Sequence, residues 1–105
     1  MILVEMIPAS LHIDNARLAD MCRRHGVRRL SLFGSALHGS FDAQSDVDIL
    51  VEFLPETSPS LLELGALQQE LSELIGREVD LKTLGFLSRY FRAQVLSEAV
   101  PLYAA

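Results

Sequence analysis

A chain of 105 residues carries one hydrophobic core and has no room for a second, so a single domain over residues 1–105 is expected, and any large substrate must be held by another molecule. Half of the residues are apolar and 22% are charged, which excludes a disordered chain, and the net charge of −5 argues against a protein that grips nucleic acid through its overall field. No apolar run reaches the roughly 20 residues of a membrane span, and the first residues bring acids without a basic n-region, so a cytoplasmic protein with no membrane partner is expected.

The charge is unevenly spread. Residues 1–44 hold five arginines against four acids, residues 45–80 hold Arg77 against nine acids, and residues 81–105 hold three bases against Glu98. The middle third is where a cation would be drawn.

In chain order, the first predicted element is a helix from about Asp14 to His25. Asp14 is its N-cap, Leu18, Met21 and Cys22 share one face, and Gly26 lies just past its end. Cys22 is the single cysteine and cannot form an internal disulfide; its apolar neighbours predict a small buried hydrophobe. "VRRLSLF" then alternates as a strand with Leu30 and Leu32 on one side. "DVDILVEF" is a second strand, and its run Ile49, Leu50, Val51 reads as covered on both faces.

"PETSPS" is a loop, and after it Ser60 and Glu63 form a capping box. Leu64, Leu67, Leu71 and Leu74 repeat at helical spacing until Gly76, a stripe read as core packing. "EVDLKTL" is a short third strand, with Val79 and Leu81 on one face and Asp80 on the other. A last helix from about Leu87 to Ala99 precedes "VPLY", a possible edge strand. The aromatic and apolar side chains of that helix, Phe86, Tyr90, Phe91 and Val95, are expected to pack into the core, with a partner-binding surface as the alternative. Alternating strands and helices predict an α/β or α+β fold, a small mixed sheet of three to four strands with helices packed on it.

The stretch "LSLFGSALHGSFDAQSDVDILVEF" poses the chemical question, because it sets two carboxylates at the mouth of an apolar strand. Asp46 and Asp48 are two apart on a strand, so they project from one face about 6.5 Å apart. Carboxylates aimed together repel unless a cation lies between them, and such hard oxygen ligands suit Mg²⁺ or Mn²⁺. Gly34 lets the backbone approach a ligand, and the Ser35 hydroxyl with free N–H groups of a helix start offers a phosphate seat. If the two strands are antiparallel neighbours, Gly34 and Ser35 meet Asp46 and Asp48 at one end of the sheet, within reach of a metal-bound triphosphate.

The third strand supplies a further acid. With the helix over 60–75 as a crossover, Asp80 joins the same end of the sheet and completes a site for two ions about 4 Å apart, which clamp the attacking and leaving oxygens of an in-line displacement at phosphorus. Glu78 shares its face but stands at the strand's beginning. Other motifs fail: "GSALHGS" has P-loop spacing, yet Ser40 stands where lysine is needed and Phe41 where Ser or Thr is needed. "DVDILVEF" runs on as a strand where a calcium loop needs glycine. His12, His25 and His38 show no ligand spacing with Cys22, and Arg28 and Arg29 read as a solvated strand start.

On the Gly-Ser pair, ten intervening residues, the Asp-x-Asp and "EVDLKT" downstream, the chain resembles the minimal nucleotidyltransferase family of the polymerase-beta-like superfamily, over roughly residues 13–103. The resemblance implies that superfamily's fold and a nucleotidyltransferase activity. It further implies the antitoxin half of a toxin–antitoxin system, hetero-oligomeric with a HEPN-domain RNase toxin and transferring AMP from ATP to a tyrosine of it. Carried over residue by residue, Gly34 and Ser35 would hold the triphosphate. Asp46 and Asp48 would bind two Mg²⁺ ions, and Asp80 would bind one of them and help activate the attacking hydroxyl, with pyrophosphate leaving. The chain departs from the family at Ala36 and His38, where many members carry arginines. That departure motivates an alternative, a non-catalytic nucleotide-binding antitoxin that neutralises its partner by binding alone. Transfer to a small molecule such as an aminoglycoside is a weaker third option, since no extra domain is present to enclose it.

Overall fold

Each element starts and stops where its residues leave the backbone no cheaper choice. In the computed structural model, which describes residues 13–34, 46–87 and 89–105, helix α1 spans Asn15–His25. The Asp14 carboxylate accepts from the N–H groups of Ala16 (3.1 Å) and Arg17 (3.2 Å), two donors that the helix itself cannot satisfy. Gly26 ends the helix at φ +69°, and a Cβ there would collide with the Thr57 side chain, so only glycine fits. Strand β1 (Val27–Phe33) follows directly, then β2 (Val47–Phe53) and helix α2 (Leu61–Ile75).

The predicted capping box is made in full. Ser60 Oγ accepts from Glu63 N at 3.2 Å, and Glu63 Oε1 accepts from Ser60 N at 3.1 Å. Beyond α2 come β3 (Val79–Thr83), a turn of 3₁₀ helix (Leu84–Phe86), helix α3 (Arg89–Glu98) and β4 (Val100–Ala104). "VPLY" therefore does form a strand.

The sheet runs β3-β2-β1-β4. β1 is antiparallel to both β2 and β4, whereas β2 and β3 are parallel, with α2 as the crossover between them. This is the α+β architecture expected from the alternating pattern, among the described residues a four-stranded mixed sheet with three α-helices.

The core forms on one face of the sheet. Leu18, Met21 and Cys22 of α1 and Leu67, Leu71 and Ile75 of α2 cover Leu30, Leu32, Val47, Ile49, Val51 and Val79. Each such side chain contributes roughly 1.5–3 kcal/mol by leaving water. The two helices are also tied by polar contacts: His25 Nε2 hydrogen-bonds Glu70 Oε2 at 2.8 Å, and Arg24 Nη1 lies 3.6 Å from Glu70 Oε1. The hydrogen bond from His25, aided by the charges of His25 and Arg24, holds the Glu70 carboxyl below its ordinary range.

Ser72 Oγ and Gln68 Oε1 accept from Val79 N and Leu81 N, both at 3.0 Å, so α2 side chains occupy N–H groups on the outer side of edge strand β3. On α3 the expected core packing is corrected: Tyr90 is 86% and Phe91 60% exposed, and Val95 is half-buried. Helical spacing put these residues near one another, but the core face of the sheet is already filled by α1 and α2.

Cys22 is fully buried, and burial pushes its thiol up to about 12 against a small opposing effect of Arg23. In the native protein at pH 8, alkylation of Cys22 is expected to be at least a hundredfold slower than in urea, measured by intact mass; equal rates would contradict the burial. The sign for stability follows from proton binding. The unfolded thiol ionises near 9.0 and the folded one near 12, so the unfolded state holds fewer protons above pH 9 and stability falls as pH rises from there. Among the described residues no helix is long and apolar enough to cross a membrane.

Candidate active site

The parallel register of β2 and β3 sets Asp48 directly beside Asp80. On its other flank Asp48 pairs with Phe33, the last residue of β1, and Gly34 is the next residue along. One row across three strands thus brings together a glycine and two acids that are far apart in sequence. Alternation places Asp48 and Asp80 on the face opposite the core, since Val47, Ile49 and Val79 point into it.

Gly34 has φ +74°, in the left-handed region that side chains avoid. A Cβ built on it would strike the Asp48 carboxylate, lying 2.9 Å from its Cγ and 3.1 Å from its Cβ. The glycine is therefore required twice, once by its backbone and once by the acid packed against it. Asp46 is exposed at the residue preceding β2, at the same end of the sheet. Ser35 lies outside the described residues, as do Ala36 and His38.

Asp80 is half-buried, and its two carboxylate oxygens accept from Lys82 Nζ at 2.9 and 3.1 Å. Among the described residues no three acids, histidines or cysteines are gathered closely enough to hold an ion as they stand. The structure brings Asp48 and Asp80 into one row, packs Gly34 against Asp48 and leaves Asp80 engaged by an ammonium. Glu78 is exposed just before β3, and its backbone carbonyl accepts from Val47 N at 2.8 Å.

Sequence reasoning missed Lys82, although the signal was available. Residues two apart on a strand share a face, and Asp80 and Lys82 are such a pair. The same face carries Leu50 and Ser31, both buried, so the Ile49–Val51 run is covered on both sides as expected. At the far end of that face, Arg29 lies 3.7 Å from Glu52.

The chemistry of the donors is of the kind a divalent cation takes. Asp48 and Asp80 present hard carboxylate oxygens on adjacent strands, and a positive group already sits on Asp80.

Comparison with known proteins identifies the family. A family model described as nucleotidyltransferase domain matches residues 17–102. The chain is 43% identical over 84 residues to a candidate protein adenylyltransferase of Methanocaldococcus jannaschii, covering 80% of this chain and 88% of that one. It is 40% identical over 88 residues to the protein adenylyltransferase MntA of Thermococcus cleftensis, covering 84% and 87%. Among solved structures, a candidate minimal nucleotidyltransferase superposes with a TM-score of 0.69 at 36% identity, over 83% of this chain and 87% of the other. A toxin–antitoxin complex solved with AMP-PNP shares the fold, with a TM-score of 0.68 at 23% identity over 89% and 75%. With the four-stranded fold in agreement, the chain belongs to the nucleotidyltransferase domain family and is an enzyme of its minimal branch.

Proposed function

We propose that this chain is the antitoxin of a toxin–antitoxin pair, a Mg²⁺-dependent protein adenylyltransferase that transfers AMP from ATP to a tyrosine of a HEPN-family RNase toxin. The observation that carries the reading is Asp48 in register with Asp80 and packed against Gly34, in a chain 43% and 40% identical to proteins named for protein adenylylation. A solved complex of the same fold, at 22% identity, is described as a tri-AMPylated HEPN toxin with its MNT antitoxin.

In this reading Gly34 and Ser35 seat the triphosphate, and the bare backbone of Gly34 lets phosphate oxygens come close. Asp46 and Asp48 would hold two Mg²⁺ ions and Asp80 one of them; bound there, the ions would offset phosphate charge and stabilise the attacking and leaving oxygens. The tyrosine oxygen attacks the α-phosphorus of ATP, a new P–O bond forms, and the bond to pyrophosphate breaks. Asp80 assists by drawing the hydroxyl proton, which passes to solvent. The product is the tyrosyl-AMP diester plus pyrophosphate.

Exposed apolar side chains also support a protein partner. Leu61 and Leu62 at the start of α2 are 79% and 87% exposed, and Tyr90 and Phe91 on α3 add to them. Apolar surface of this kind is what a stable hetero-oligomer covers. The direct test incubates the chain with α-labelled ATP, Mg²⁺ and the co-encoded toxin. Label on the toxin, lost when its acceptor tyrosine is changed to phenylalanine, is the expected result. Neutralisation of the toxin without any label would favour a binding-only antitoxin.

A further inference from the structure

Lys82 lies two residues beyond Asp80 on β3, so both side chains leave the same face of the sheet, opposite the core. Its Nζ grips both oxygens of the Asp80 carboxylate, at 2.9 and 3.1 Å. Asp80 in turn stands in register with Asp48, so two acids and one ammonium share this end of the sheet. Among the described strand residues, the other cation that alternation puts on this face is Arg29, in the row of Glu52 and paired with it at 3.7 Å. That row is four residues from Asp48, about 13 Å along the strand.

We infer that Lys82 is a positioning residue acting through Asp80: its ammonium holds this carboxylate while no metal is present, and a divalent cation reaches Asp80 only by displacing it. The inference rests on the reading of Asp80 as a metal ligand given under Proposed function. Neighbouring carboxylates repel, and an ammonium on one of them relieves the repulsion and orders the side chain. A cation arriving alone must break a two-oxygen contact and also approach a like charge.

A cation arriving with a triphosphate meets a different balance. The phosphates bring negative charge to the same face, and the lysine's flexible four-carbon stem lets the displaced ammonium pair with phosphate oxygens. Lys82 thereby couples metal binding to nucleotide binding, which is a linkage between two ligands at one site. The free enzyme binds metal weakly and the nucleotide complex binds it well.

The test is a Mn²⁺ titration followed by electron paramagnetic resonance on the full chain, with and without a non-hydrolysable ATP analogue. K82M is expected to bind Mn²⁺ alone about fivefold more tightly than wild type, the size of one partly exposed ion pair. The enhancement of Mn²⁺ affinity by the ATP analogue is expected to shrink by a similar factor, while K82R keeps the wild-type values. K82Q, closer in polarity, repeats the measurement should K82M prove insoluble. If D48N weakens Mn²⁺ binding but K82M and K82Q match or fall below wild type, the role of Lys82 is overturned and the metal site stands. If D48N leaves Mn²⁺ affinity unchanged, or wild type binds none, the metal reading itself fails and takes this inference with it.

Discussion

Asp48→Asn is expected to lower AMP transfer about a thousandfold or more while leaving the chain folded. Asparagine keeps the shape of the side chain and removes its charge, so a divalent cation loses one of its anionic ligands. Metal stabilisation of the transferring phosphoryl group amounts to several kcal/mol, and each loss of about 1.4 kcal/mol costs a factor of ten. Stability should move the other way. Asp48 stands beside Asp80 and close to Asp46, and removing one charge from a crowded acidic end relieves repulsion. A thermal midpoint that holds or rises, together with a collapse in labelling, separates a catalytic role from a structural one. Activity within tenfold of wild type would remove Asp48 from the site. The same variant also decides between catalysis and binding alone, because a non-catalytic antitoxin carrying Asp48→Asn should still protect cells from the toxin.

The second large effect is expected at Gly34→Ala. The left-handed backbone costs a non-glycine residue about 1–3 kcal/mol, which a thermal melt will read as a lower midpoint. The larger consequence is for the site, since the added methyl group falls on the Asp48 carboxylate and must push it aside. Displacement of a reacting group by about 1 Å can cost on the order of a hundredfold in rate. The variant is therefore expected to lose activity far beyond its loss of stability, at a temperature well below its midpoint. Loss of stability alone, with full transfer by the folded fraction, would mean that Asp48 is not held by this contact.

Much of this was legible in local chemistry. Asp14 and Gly26 announce the ends of α1, and Ser60 with Glu63 announces α2, because unsatisfied helix-end groups need such partners wherever the helix lies. Strand alternation likewise separates Asp80 from Val79 and Leu81 without knowledge of the fold. What local chemistry could not supply is occupancy. Tyr90 and Phe91 sit at helical spacing, but spacing cannot tell whether a sheet face is still free to receive them. The Asp80 carboxylate was assigned to a metal from its position, and the ammonium of Lys82 became visible only once both side chains were placed. The meeting of Asp48 with Asp80 depended on register, which the parallel pairing of β2 with β3 determines.

The edges of the sheet decide how this enzyme can be recognised at all. With Ser72 and Gln68 holding outer N–H groups of β3, and Pro101 lacking an N–H in β4, neither border offers a full ladder for another strand. Backbone ladders are generic, since every polypeptide has the same main chain. Where those ladders are interrupted, association rests more on side chains, whose identities differ from one protein to the next. Contacts of that kind can discriminate between related surfaces in a way that a bare main chain cannot.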